Sequence, residues 1–183
     1  MPAWIVLGVA ALLALWAVVA YNRLITLRNR VQNAWAQIDV QLRRRYDLIP
    51  TLVETVKAYA THEREVFQRV TDARARAIAA GTVGEQAQAE NTLTQALRSL
   101  FAVAEAYPEL RANQNFLALQ EELSSTEDKI MFARQFYNDS VMQYNTLRQV
   151  FPTNVLATAF GFGPQEYFQL EELAAREPVR VQC

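Results

Sequence analysis

His62-Glu63-Arg64-Glu65 is where a histidine stands among carboxylates, the residue types a zinc-dependent hydrolase uses. That chemistry needs a second histidine four residues on, and Val66 occupies the position. His62 is the single histidine and Cys183 the single cysteine, which excludes a multi-histidine or cysteine-based metal site within one chain and an intramolecular disulfide framework. Glu121, Glu122, Glu127 and Asp128 form an acidic run whose helical spacing spreads them around the cylinder. A solvated face is the expectation there, and a weak divalent-ion site shared with a neighbouring helix is the alternative. Neither a glycine-rich phosphate loop nor a nucleophile elbow is present. The residues therefore predict no catalytic group, no cofactor and no metal.

The polar residues of interest lie beside an apolar stripe. Asn138 and Asn145 are seven residues apart, so they share one helical face with Tyr137 and Tyr144, and Arg134 stands one turn before Asn138. Buried amides at such positions fix register and partner choice at a cost in stability. A polar pocket for a small ligand, built from Arg134, Tyr137, Asn138 and Asp39, is the alternative.

Helices must position these groups. Five glycines and six prolines in 183 residues leave little punctuation for β-turns. From Tyr21 to Tyr46 neither occurs, and Leu24, Leu27, Val31, Ala34, Ile38 and Leu42 make one stripe. Asp47 is expected to cap a second helix, with Pro50 in its first turn and Gly81 as its C′ residue. A third helix runs from about Glu85 to Tyr107, bounded by Pro108. Asn113 or a neighbour caps a fourth, with Phe116, Leu119, Leu123, Ile130, Ala133, Tyr137, Val141, Tyr144, Leu147 and Phe151 inward and Pro152 closing it. The fold class is all-α, an antiparallel up-and-down bundle of four long helices.

Residues Ala3 to Ala20 carry no charge, which meets the lower limit for a helix that spans a bilayer. Trp4, Leu7, Leu12, Trp16 and Tyr21 are the expected anchor residues, with Trp4 and Tyr21 at the ends as interfacial aromatics. A cleaved signal and a buried core helix are the competing readings; the first lacks a positive n-region. Nothing interrupts the chain between this segment and the first stripe, so one rod of roughly 65 Å is expected from about Ala3 to Tyr46. Arg23, Arg28 and Arg30 follow the span, which places the remainder in the cytoplasm, with the periplasm as the alternative. The expected organisation is an anchor over 1–22, a helical bundle over 23–152, and an apolar segment with a mobile tail over 153–183.

In the tail, Val155 to Phe162 is apolar before Gly163-Pro164 turns the chain. Phe160 and Phe162 belong either to a lid over the end of the bundle or to a docking segment for another subunit or the bilayer.

The sequence resembles the LemA family of bacterial membrane-anchored proteins. Asn33-Ala-Trp35, Arg44-Arg-Tyr-Asp-Leu-Ile-Pro50, Leu52-Val-Glu-Thr-Val-Lys57, Ala104-Glu-Ala-Tyr-Pro108, Leu119-Gln-Glu-Glu-Leu123, Phe132-Ala-Arg-Gln-Phe-Tyr-Asn138, Phe160-Gly-Phe162 and Glu166-Tyr-Phe168 carry the likeness across nearly the whole chain. The resemblance implies an N-terminal membrane helix followed by long helices, at the bacterial inner membrane, and no known activity whose residues could be transferred. It also implies association with other membrane proteins, such as a membrane protease.

Together these features predict a non-enzymatic scaffold or adaptor that gathers laterally as a homo-oligomer in the lipid bilayer. An enzyme or a small-ligand or metal sensor with a site between helices is the rival. A formal net charge of −1 gives no field for nucleic acid, which is not expected as a partner.

Overall fold

The computed structural model describes residues 2–169, so the mobile tail expected beyond them lies outside the described residues. Within them the chain is all-helical, with six helices and no strand: α1 (Pro2–Lys57), α2 (Arg64–Ala79), α3 (Val83–Glu105), α4 (Pro108–Arg111), α5 (Gln114–Gln149) and α6 (Thr153–Ala159).

α1 stops later than its sequence predicts. Asp47 caps nothing, because the helix continues through Pro50 to Lys57. Pro50 has no N–H, so the Tyr46 carbonyl loses its helical donor. Arg74 Nε on α2 donates to that carbonyl at 2.7 Å and removes the orphan. The break falls instead over 58–63, and six helices replace the four expected.

Gly81 does not take the left-handed conformation either; α2 ends on Ala80 in an extended conformation. Thr82 then starts α3 with a capping box. Its hydroxyl accepts from Glu85 N–H, while the Glu85 carboxylate accepts from the backbone N–H groups of Gly81 (3.0 Å) and Thr82 (3.1 Å). Those N–H groups, Gly81 foremost, hold the Glu85 carboxyl below its usual range. With only three residues between them, α2 and α3 pack together as a helical hairpin. Pro108 opens α4, and Asn113 caps α5 as expected: its Oδ1 accepts from the N–H groups of Asn115 and Phe116.

The inward stripe of the last long helix extends in phase to Phe151, but α5 ends at Gln149 and the Phe151 side chain is 82% exposed. Beyond the helix end the 3.6-residue period no longer carries a side chain to the core face. α6 follows and ends in a Schellman motif: Phe162 N–H donates to Ala157 C=O and Gly161 N–H to Thr158 C=O. Gly161 has φ +69°, the one described residue in that region.

The described residues divide into two compact units. One gathers residues up to 41 with 129–167; its core includes Leu24, Val31, Ala34, Ile38, Ile130, Tyr137, Val141, Tyr144, Ala157 and Phe162. The other gathers 42–128 with 168 and 169, around Leu42, Ile49, Leu52, Val56, Val70, Leu93, Leu97 and Leu100. The two stripes read from the sequence, Leu24 to Leu42 and Phe116 to Tyr144, supply most of the first core. At the start of α1 the apolar segment is long enough to cross a membrane. Trp4, Leu7 and Leu12 are exposed along it, and burial begins at Ala20 and Leu24.

Candidate functional site

In the first unit the inward face of α5 is a row of polar groups aimed at the chain after α6. Tyr144 hydroxyl donates to Gly163 C=O (2.9 Å), and Tyr137 hydroxyl to Glu166 C=O (2.8 Å). Asn145 uses its whole amide: Nδ2 donates to Gln165 C=O (2.9 Å), and Oδ1 accepts from Gln165 N–H (3.0 Å). Arg148 Nε donates to Phe162 C=O at 2.8 Å. Five hydrogen bonds thus fix the extended residues 162–166, which have no helix or sheet to pair their backbone. The spacing 137, 144, 145, 148 explains how one helix face supplies them all.

Burial pushes the Tyr137 hydroxyl up to about 12, with the Glu166 charge adding to it, and burial also raises Tyr144. Both phenols therefore stay protonated donors at neutral pH. Trp35 stacks at a tilt on Tyr137, with centroids 5.4 Å apart. At the far end of the same segment, Tyr21 meets Phe160 and Phe162 edge-on, at 5.0 and 5.7 Å. Of the residues singled out from sequence, Asn145, Phe160 and Phe162 come together along this pinned segment. Arg134 and Asn138 are half-buried further back on α5, where each has partners, as does Asp39.

An apolar groove lies on the same unit, lined by Ala36, Val40 and Gln41 of α1 and by Lys129, Phe132 and Phe136 of α5. Val40 and Phe132 are 61% and 63% exposed. Arg30 covers one side of Phe136, its guanidinium 5.1 Å from the ring centroid and hydrogen-bonded to Gln143.

The second unit holds a buried polar cluster. Arg45 and Glu90 are 4% and 1% exposed and paired at 3.1 Å. Arg45 also donates to Thr94 and pairs with the half-exposed Glu127 at 2.8 Å. Tyr46 hydroxyl donates to the other Glu90 oxygen, and Gln86 Nε2 donates to Tyr46 Oη (2.8 Å) and Ala77 C=O (3.2 Å). Burial pushes the Glu90 carboxyl above its usual range, against the Tyr46 hydrogen bond and the Arg45 charge that favour the anion. Burial, then the Glu90 charge, raises Tyr46 as well. The sequence reading missed this cluster. Its signal was present: Gln86 and Glu90 continue the 93, 97, 100 stripe of α3 at helical spacing, where apolar residues belong.

Apart from Arg45 Nε, which is buried without a hydrogen-bond partner, the donors named in these two clusters end on the chain's own backbone or on another member. The arrangement orients segments of the protein. Among the described residues no group of three or more His, Cys, Asp or Glu is placed to hold a metal ion.

A family model described as the LemA family matches residues 34–183. Magnetosome protein MamQ 2 of Paramagnetospirillum magneticum is 28% identical over 200 aligned positions, covering 95% of this chain and 73% of that protein. Magnetosome protein MamQ of Magnetospirillum gryphiswaldense is 25% identical, covering 87% and 68%. Protein LemA of Metamycoplasma hominis is 26% identical, covering 83% and 70%.

Proposed function

The chain belongs to the LemA family, and from that premise we propose that it is a non-enzymatic scaffold of the bacterial inner membrane, anchored by the start of α1 and assembled laterally from several copies. The observation that carries this reading is the apolar groove around Val40, Phe132 and Phe136. Large apolar side chains gathered on a surface mark a contact site. Copies anchored in one membrane present this groove at one height above the bilayer, and confinement to two dimensions raises their effective concentration. A second copy is therefore the occupant that the anchor itself supplies. Other membrane proteins, a membrane protease among them, would then dock on the assembly. The commitment of Tyr137, Tyr144, Asn145 and Arg148 to the protein's own backbone supports a structural role for them over a ligand site.

In this reading the soluble part lies in the cytoplasm, because Arg23, Arg28 and Arg30 follow the span. Single-thiol variants in a Cys183→Ser background test both points in native membranes. A bifunctional thiol reagent should join copies carrying Phe132→Cys, and a thiol at Gly84→Cys should resist a membrane-impermeant reagent until cells are lysed. Absence of joined copies would sink lateral assembly through the groove. Ready labelling of intact cells would reverse the side.

A further inference from the structure

We propose that residues 149–165, comprising α6 and its flanks, form a second membrane-contacting element that rests in the bilayer interface beside the point where α1 leaves the lipid. This rests on the reading that the apolar start of α1 spans the membrane. The segment carries no Asp, Glu, Lys or Arg; the nearest charges are Arg148 and Glu166. Phe162 is buried and Leu156 half-buried, but the segment's other large apolar side chains face outward all the same. Phe151 is almost wholly exposed, Phe160 is 61% exposed, and Val150 and Val155 are exposed as well. An uncharged surface of this kind is unusual in water and ordinary at the boundary between headgroups and acyl chains.

Its position is fixed by Tyr21. Along α1 the side chains from Trp4 to Val19 are exposed, apart from half-buried Ala17, and become buried at Ala20 and Leu24, so Tyr21 marks the end of the lipid-facing stretch. Tyrosine favours that depth. The Phe160 and Phe162 rings lie edge-on against it, which sets the end of α6 at the same level of the helix. The Arg28 guanidinium lies 5.5 Å from the Phe162 ring centroid, and exposed Arg23 lies between it and the span; both are placed for anionic headgroups. The element is also rigid. The Schellman turn at Gly161 and the hydrogen bonds from Tyr144, Asn145 and Arg148 hold its exit, so its side chains enter the interface without an ordering cost. The bilayer is the occupant because the surface is continuous with a segment that already requires lipid.

Spin labels on single thiols in the full-length Cys183→Ser protein test this in vesicles of phosphatidylcholine and phosphatidylglycerol. Collision rates with oxygen, which concentrates in lipid, and with a water-soluble nickel chelate are compared at Val155→Cys and Phe160→Cys. Leu12→Cys serves as the buried-in-lipid reference and Gln88→Cys as the water reference. The oxygen-to-nickel ratio at 155 and 160 should exceed that at 88 several-fold and fall short of that at 12. Ratios equal to that at 88, with 12 deep in lipid, would overturn this element and leave the anchor standing. Low collision with both reagents would mean protein cover, such as a second copy, and would overturn it equally. A wet label at 12 would sink the anchor and this element together.

Discussion

Arg45→Leu should destabilise the folded chain by about 3–5 kcal/mol, because it leaves the Glu90 carboxylate buried without its cation. Urea denaturation of the full-length protein in bicelles, followed by far-UV circular dichroism, would read the change. The double variant Arg45→Leu with Glu90→Leu should recover most of the loss, since apolar side chains of similar volume replace the pair. The deficit of the single variant should also depend on pH. Burial holds the folded Glu90 carboxyl above its unfolded value, so the contribution of this group is greatest below the usual carboxylate range and falls as pH rises through the folded value. Removing Arg45 removes a charge that favours the anion, and the variant should therefore lose least in acid and most near neutral pH. A loss under about 1 kcal/mol, unchanged with pH, would mean that the cluster is solvated.

Asn145→Leu should cost about 2–4 kcal/mol, because both the N–H and the C=O of Gln165 lose their partner. The periodicity of α5 alone predicts the opposite, a leucine tolerated or even stabilising at a register position. The geometry reverses the sign: no other described group replaces an amide that offers one donor and one acceptor to the same backbone residue. Denaturation reads the stability, and protease cleavage after Tyr167 reads release of the segment. Asn145→Asp should fall between the two, since it keeps the acceptor for Gln165 N–H and repels Gln165 C=O. Stability within about 0.5 kcal/mol of the parent for Asn145→Leu would show that 162–166 is held by other contacts.

The long periodic stretches were legible because burial repeats with the helix. Leu24 to Leu42, Val66 to Ala77 and Leu93 to Ala104 lie inward where their spacing puts them. The boundaries were less legible. Pro50 reads locally as a helix start, and only Arg74, twenty-four residues away, lets the helix run past it. Gly81 reads as a C′ residue, yet Thr82 and Glu85 provide the turn through a capping box. Phe151 fits the α5 stripe in phase but lies beyond the helix end. Of the candidate site, Tyr137, Tyr144 and Asn145 stood out by their spacing. Their partners did not, because backbone carbonyls of an extended segment leave no trace in side-chain pattern. Arg45 gives no sign in the sequence of its partner Glu90, which lies forty-five residues on.

Lateral gathering of several copies around the groove of Val40, Phe132 and Phe136, as proposed, has a direct readout. Membranes holding the full-length chain can be cut directly into lipid discs with an amphipathic polymer and the particles weighed. Protein masses should fall at multiples of 20.8 kDa for the parent, with Phe132→Asp shifting the particles toward single copies. Parent discs that hold one chain each, unchanged by Phe132→Asp, would contradict it.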